Sequence, residues 1–162
     1  MKLIKLSVIA IVCFVFSVNA QTLTGKVISI TDGDTFKLLI QDSIQHNVRL
    51  ANIDCPERAQ PFSNKAKQFL SDAIFGKEIT IEVIKTDRYK RLVAIVLYDG
   101  GKNVNQELVK NGLAWHYVKY SNDTTLQALE DTARQNKVGL WQDINAIAPW
   151  EWRNNRSKNH RP

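Results

Sequence analysis

Five short segments of this chain alternate apolar and polar residues or are rich in β-branched side chains, and turn-forming residues lie between them. They span residues 21–31, 35–40, 48–53, 78–84 and 92–98. Asp32-Gly33 and the polar residues 41–47 separate the first three, which are predicted to form an antiparallel meander. Five such strands leave no open edge when they close into a barrel, so the pattern predicts a five-stranded OB-fold barrel.

Three further segments have helical spacing, which makes the fold class a β-barrel with helices (α+β). The first ends at Gly76 and carries an apolar face formed by Ala66, Phe69, Leu70, Ala73 and Ile74. Asn103 is predicted to cap the second helix, which ends at Gly112. Thr124 with Gln127 has the pattern of a capping box for the third, which is expected to end at Gly139. The predicted order is β-β-β-α-β-β-α-α.

Residues 1–20 have the layout of a secretory signal peptide. Lys2 and Lys5 precede an apolar run over residues 6–18, and Val18-Asn19-Ala20 offers compact residues at a cleavage site. An uncleaved anchor is the alternative, but the run is short for a membrane span. We therefore expect cleavage, a secreted or periplasmic protein, and no stable membrane insertion afterwards.

The rest of the chain has the length of one domain, predicted over residues 21–152. A basic tail, residues 153–162, is expected to be disordered. Beyond residue 20, Cys55 is the only cysteine, so an internal disulfide is excluded. The formal net charge is +6, but residues 21–152 carry 16 acidic and 16 basic side chains. The overall charge alone therefore does not identify a nucleic-acid partner.

Four acidic residues cluster in two short segments, Asp32-Gly33-Asp34-Thr35 and Asp54-Cys55-Pro56-Glu57. Either segment taken alone is explained by a turn or a loop. Antiparallel pairing about residue 44, however, would bring Asp34 beside Asp54. Adjacent carboxylates repel unless a cation lies between them, and carboxylate and carbonyl oxygens suit calcium or magnesium rather than zinc.

Two arginines accompany these carboxylates in the sequence. Arg49 lies on the predicted third strand near Asp54, and Arg91 precedes the last strand. A guanidinium group binds two phosphate oxygens at once, so a cation, two arginines and a spare carboxylate suit phosphodiester hydrolysis. Taken by itself, Arg91 is equally explained as the solvated end of a hairpin.

Three stretches of the sequence resemble signature segments of the staphylococcal nuclease (thermonuclease) family. They are Asp32-Gly33-Asp34-Thr35, residues 49–57 and Asp87-Arg88-Tyr89-Lys90-Arg91. Residues 103–114, Gly139-Leu140-Trp141 and Pro149-Trp150-Glu151-Trp152-Arg153 resemble later parts of the family in the same order. The resemblance covers residues 21–152 and implies a nuclease-like OB-fold domain.

The resemblance also implies roles for individual residues. Asp34, Asp54 and the backbone carbonyl of Cys55 would bind calcium, and Asp32 and Thr35 would support these ligands. Glu57 would act as general base, while Arg49 and Arg91 would hold the scissile phosphate. Substrate contacts would come from Arg88, Tyr89, Tyr117 and Tyr120. The position before Lys119 holds Val118 where the family has a tyrosine, and Tyr117 would substitute for it.

These roles imply a calcium-dependent endonuclease that cuts DNA and RNA with little sequence specificity and leaves 3′-phosphate ends. We expect a monomer. A non-catalytic OB-fold module that binds nucleic acid is the alternative, although such a module would be expected to lose acidic or arginine positions. A sugar-binding OB domain would explain the barrel but not the acid–arginine set.

Overall fold

The computed structural model describes residues 21–159, and the side chains of residues 21–156. Its strands are, in chain order, β1 (Gln21–Ile30), β2 (Thr35–Ile40), β3 (Ile44–Leu50), β4 (Ile53–Asp54), β5 (Glu78–Thr86), β6 (Leu92–Tyr98), β7 (Lys102–Asn103) and β8 (Trp115–His116). Its helices are α1 (Ser63–Ile74), α2 (Val104–Lys110), α3 (Thr124–Gln135) and α4 (Pro149–Asn159), with a 3₁₀ turn at Gly139–Gln142. The predicted signal peptide lies outside the described residues.

Five strands close into a barrel in the order β3-β2-β1-β5-β6, because β3 also pairs in parallel with β6. The fold prediction is therefore confirmed. Strand alternation places Phe36, Leu38, Val48 and Leu50 inside the barrel, where all four are fully buried. Residues between them along the strands, such as Arg49, face outward, and the candidate site lies on this outer surface.

A buried asparagine holds the closing strands together. Asn105, at the start of α2, accepts a hydrogen bond from the N–H of Val96 and donates to the carbonyls of Ala51 and Ala94. All these backbone groups lie in β6 or directly after β3. Because an unpaired buried amide is costly, this network fixes the chain where β3 ends and turns toward Asp54.

The helix boundaries confirm two predictions and correct two others. Asn103 caps α2 by accepting from the N–H of Gln106, and Gly76 follows the end of α1 with a φ of 73°. The capping box at Thr124 was wrong, because Asp123 is the cap and accepts from the N–H groups of Thr125 and Leu126. Helix α3 also ends before Gly139, at Gln135.

A fourth α-helix was not predicted. Residues 153–159 belong to α4, so the expectation of a disordered tail was wrong for this part. Pro149 suits the first turn of a helix, and Arg153 is held by an ion pair to Asp54. None of the helices within residues 21–159 is long and apolar enough to cross a membrane.

Candidate active site

Arg49 joins two buried carboxylates on the outer surface of the barrel. Its Nη1 lies 2.7 Å from Oδ1 of Asp34, and its Nη2 lies 2.8 Å from Oδ1 of Asp54. The Asp34 side chain is 6% exposed and that of Asp54 is 1% exposed. The structure therefore brings together three of the residues that the sequence singled out.

The route by which Asp34 and Asp54 meet differs from the predicted one. Strands β2 and β3 pair Ile40 with Ile44 and Thr35 with Arg49. The hairpin therefore turns about residue 42 and not about residue 44. The turn is tighter than expected because Gln41 and Asp42 adopt left-handed φ values of 50° and 54°. After Leu50 the chain bends, and Asp54 lies on β4, which pairs with β8.

The loop before β2 fits closely against the loop that contains Cys55. Oδ2 of Asp34 accepts a 3.1 Å hydrogen bond from the N–H of Cys55, and Oδ1 accepts one from the hydroxyl of Thr35. Asp32 accepts from the N–H of Asp34. A β-carbon at Gly33 would lie 2.9 Å from that of Cys55, which is too close for any larger residue to fit unshifted. Thr35 thus contacts the Asp34 carboxylate, while Asp32 contacts the backbone of Asp34, the residue that the resemblance assigned both to support.

Burial makes the negative charge of this cluster costly. Burial, assisted by the charge of Asp34, raises the pKa of Asp32 to about 6. Burial also raises the pKa of Asp54, although hydrogen bonds from Arg153 oppose it, and burial raises the pKa of the Cys55 thiol. Cys55 therefore stays a neutral thiol, and the cluster attracts positive charge.

The donor atoms fit a hard cation. The cluster offers carboxylate oxygens and no thiolate, which suits calcium or magnesium rather than zinc. Within residues 21–159, three or more His, Cys, Asp or Glu side chains are nowhere grouped to hold a metal ion. The calcium site that the resemblance implies uses only two carboxylates and the Cys55 carbonyl. It stays a prediction, and the oxygens of the cluster are compatible with it.

Arg153 enters the same cluster from α4. Its Nη2 lies 2.7 Å from Oδ2 of Asp54, and its Nη1 contacts Glu57. Burial tends to lower the pKa of Arg153, but hydrogen bonds to these carboxylates outweigh it and raise this pKa, so Arg153 stays charged. The sequence reasoning missed this residue because it assigned it to a tail. The available signal was its place at the end of the segment Pro149-Trp150-Glu151-Trp152-Arg153.

Gln60 is a second residue that the sequence reasoning missed. Its Oε1 accepts from the N–H of Glu57 at 2.7 Å, and its Nε2 donates to the carbonyl of Ile147. This buried amide ties the Glu57 loop to the segment that leads into α4. The Glu57 side chain itself is 36% exposed, so water can reach its carboxylate.

Arg91 is held by Asp87 at the tip of the β5–β6 hairpin. Its Nε and Nη2 each lie 2.8 Å from Oδ2 of Asp87, whose other oxygen accepts from the N–H of Arg91. Strand β6 places Val93 opposite Arg49, and Arg91 precedes Val93 by two residues. Arg91 directly precedes β6, and continuing the alternation of that strand by one residue puts it on the same outer side of the barrel as Arg49.

Tyr89 lies in the same hairpin tip and is 63% exposed. Its hydroxyl accepts from Arg88, and the guanidinium groups of Arg88 and Arg91 lie 4.8 and 5.5 Å from its ring centre. A cationic and aromatic surface beside the outer face of β6 suits a phosphate with an adjoining base or sugar.

Tyr117 and Tyr120 form a second aromatic group. Their ring centres are 4.8 Å apart, and Tyr117 stacks on Trp150 of α4 with an interplanar angle of 4°. A cavity of about 270 Å³ opens beside them, lined by Tyr117, Val118, Lys119, Trp150, Arg153 and Asn154. Arg153 connects this cavity to the carboxylate cluster.

His116 takes no part in these groups. It is buried, and its ring nitrogens lie 3.0 Å from Gln127 and 3.1 Å from Ser121. The backbone N–H of His116 also donates a hydrogen bond to the carboxylate of Glu130. These contacts indicate a structural histidine that joins β8 to α3.

Comparison with known proteins finds relatives along most of the chain. Residues 47–143 match the family described as "Staphylococcal nuclease homologue". An uncharacterized endonuclease of Haemophilus influenzae is 37% identical, over 94% of this chain and 85% of its own length. A micrococcal nuclease of Shigella flexneri is 39% identical, over 91% of this chain and 90% of its own. A staphylococcal-like nuclease of Arabidopsis thaliana is 42% identical, over 67% of this chain but only 33% of its own length.

Proposed function

This chain belongs to the staphylococcal nuclease family, and from that premise we propose that it is a calcium-dependent endonuclease. Its substrates would be DNA and RNA, cut with little sequence specificity to leave 3′-phosphate and 5′-hydroxyl ends. Similarity over most of both chains to proteins named as nucleases supports the hydrolase activity. The observation that carries the proposal is Arg49 held between two buried carboxylates, with Glu57 and its water-accessible oxygens nearby.

Asp34, Asp54 and the Cys55 carbonyl would hold the calcium ion. When bound, the ion would stabilise the negative charge that develops on the phosphate and help to activate water. Asp32 and Thr35 would keep Asp34 oriented, through the hydrogen bonds that already join them. Burial of these carboxylates favours a cation, since isolated charges at this depth are unstable.

Glu57 would take a proton from the attacking water, whose oxygen forms the new bond to phosphorus. The bond from phosphorus to the 5′ oxygen then breaks, and that oxygen takes up a proton from solvent. Arg49 and Arg91 would bind the phosphate oxygens as charge accumulates on them. A guanidinium group has five N–H donors, so each can keep its carboxylate partner and still reach the substrate.

Substrate nucleotides would lie along two aromatic surfaces. Arg88 and Tyr89 would contact a phosphate and its neighbour at the β5–β6 hairpin. Tyr117 and Tyr120 would stack on a base beside the cavity that Arg153 joins to the carboxylates. Stacking tolerates any base, which agrees with low sequence specificity.

The alternative is a non-catalytic module that binds nucleic acid on the same surface. The pairing of Glu57 with Arg153 favours it, because that contact occupies a carboxylate oxygen that the attacking water would otherwise approach. The resemblance of residues 1–20 to a signal peptide supports export to the periplasm or medium. The exported protein, residues 21–162, would act as a monomer.

Digestion of plasmid DNA and of RNA by residues 21–162, with calcium and then with chelator, tests the proposal. We expect cleavage only with calcium, and products whose 5′ ends accept phosphate from a polynucleotide kinase without prior dephosphorylation. Glu57→Gln should lower turnover by about 100-fold or more, as expected for a lost general base. Glu78→Gln, on the exposed start of β5, is the control. Binding without cleavage under all conditions would favour the alternative module.

A further inference from the structure

Arg153 uses the oxygens that a metal ion at this site would need. Asp54 Oδ2 is 2.7 Å from Nη2 of Arg153, and Asp54 Oδ1 is shared between Arg49 at 2.8 Å and Arg153 at 3.4 Å. The Asp54 side chain is only 1% exposed, so these two guanidinium groups and the rest of the protein leave almost none of its carboxylate open to solvent. A calcium ion can therefore bind the Asp54 carboxylate only if one of the two guanidinium groups moves away.

The two arginines differ in how readily they could leave. Arg49 is 18% exposed, lies within β3 and also bonds Asp34, so it is fixed by the barrel. Arg153 is 41% exposed and reaches the site from a helix at the end of the chain. Its side chain can turn into solvent without disturbing any barrel strand.

The helix that carries Arg153 is itself anchored. Trp150, one turn earlier, stacks on Tyr117 and contacts the ring of Trp115 edge-on. Just before α4, the carbonyl of Ile147 accepts a hydrogen bond from Gln60. The backbone of α4 therefore holds Arg153 next to Asp54 and Glu57, and only the side chain needs to move.

We propose that Arg153 competes with calcium for Asp54 and thereby sets the calcium affinity of the site. The inference rests on the calcium site of the proposed function. Calcium binds carboxylate oxygens at about 2.3–2.6 Å, so at Oδ2 of Asp54 it would meet the guanidinium group of Arg153, and the two positive charges would repel each other. Without calcium Arg153 pairs with both Asp54 and Glu57, and it leaves Asp54 when calcium binds. When the Arg153 side chain turns into solvent, its separate contact with Glu57 breaks as well, which frees the Glu57 carboxylate.

Calorimetric titration of residues 21–162 with calcium alone, without nucleic acid, tests this competition. Arg153→Gln should bind calcium about tenfold more tightly, because a charge-assisted contact no longer has to be broken. Arg153→Lys keeps the charge but loses the planar fork, and it should fall between the other two. Arg58→Gln, which removes the same charge from the exposed residue beside Glu57, should change the affinity less than twofold by surface electrostatics.

Titration in high salt distinguishes the direct contact of Arg153 with Asp54 from a long-range effect of its positive charge. The tenfold difference should persist at about 0.5 M potassium chloride, since salt screens exposed charges more than partly buried pairs. Thermal unfolding gives a second readout: Arg153→Gln should be less stable than the parent without calcium, and saturating calcium should narrow that gap.

Equal calcium affinity in Arg153→Gln and the parent protein would overturn the competition while leaving the proposed function intact. An equal gain in Arg58→Gln, or a gain that disappears in high salt, would overturn it too. If no variant binds calcium, the calcium site itself fails, and the competition fails with it.

Discussion

Gly33 approaches Cys55 so closely that a β-carbon on Gly33 would lie 2.9 Å from the β-carbon of Cys55. It would also lie 2.8 Å from that of Ala66 in α1. Gly33→Ala should therefore push the Asp34 loop away from Cys55 and destabilise the fold by roughly 1–3 kcal/mol, the usual cost of overpacking. Chemical denaturation measures this cost.

The same substitution should lower nuclease activity more than stability alone explains, because Asp34 would lose its hydrogen bond from Cys55. Gly100→Ala is the control for lost stability alone, because nothing lies within 4 Å of a β-carbon there but an alanine is strained at its φ of 81°. Unchanged stability in Gly33→Ala would show that the loop has room that the structure does not indicate.

Arg49→Lys should reduce turnover by about 100-fold or more, the typical effect of removing one donor that stabilises a transition state. An ammonium group cannot bind Asp34 and Asp54 simultaneously with the geometry of the guanidinium fork. Initial rates at saturating substrate measure the loss. Arg58→Lys serves as the control, and near-normal turnover in Arg49→Lys would restrict Arg49 to a structural role.

Asp87→Asn should weaken the hairpin that carries Arg91 in a pH-dependent way. Burial tends to raise the pKa of Asp87, but hydrogen bonds from Arg91 and Tyr89 outweigh it and lower this pKa below its usual value. The ionised carboxylate therefore adds stability above its unfolded pKa of about 4, and this stability is lost as the pH falls through the lower folded pKa.

The free energy of unfolding of the parent protein and of Asp87→Asn, measured from about pH 2 to about pH 7, checks the direction of this pH dependence. The parent should be more stable at neutral pH, and the difference should shrink below about pH 4. A difference that grows on acidification would show that Asp87 is not stabilised as a carboxylate. Turnover should also fall at neutral pH, because Arg91 loses the partner that positions it.

Tyr120→Ala should weaken substrate binding by about 1–3 kcal/mol, the usual contribution of one stacked base. The ring is 60% exposed and its removal costs little packing, so KM should rise while kcat stays close to normal. Phe75→Ala, an exposed ring at the end of α1, is the control. An unchanged KM would exclude Tyr120 from the substrate surface.

The barrel could be predicted from the sequence because its strands alternate inward and outward residues, as Phe36 and Leu38 illustrate. The meeting of Asp34 with Asp54 was also predicted, but through the wrong strand register. The left-handed turn at Gln41 and Asp42, two residues that do not require it, shortens the loop and shifts the pairing. Local preference alone could not reveal that shift.

The contribution of α4 could not be predicted for a different reason. Arg153 and its neighbours Asn154 and Asn155 are polar, so the segment lacks the apolar stripe by which an amphipathic helix is identified. Its position depends on Trp150 stacking against Tyr117 and on the contact of Arg153 with Asp54. Those are tertiary contacts, and the spacing of residues within the segment does not predict them.

Arg153 and Asp54 lie 99 residues apart in the chain, yet their side chains touch. During synthesis, Asp54 leaves the ribosome long before Arg153 does. The completed set of charges can therefore exist only after the carboxyl-terminal helix has been made and has docked. A prematurely terminated product that ends before α4 would leave Asp54 with Arg49 as its sole guanidinium partner among the described contacts, and it would differ in chemistry as well as in length.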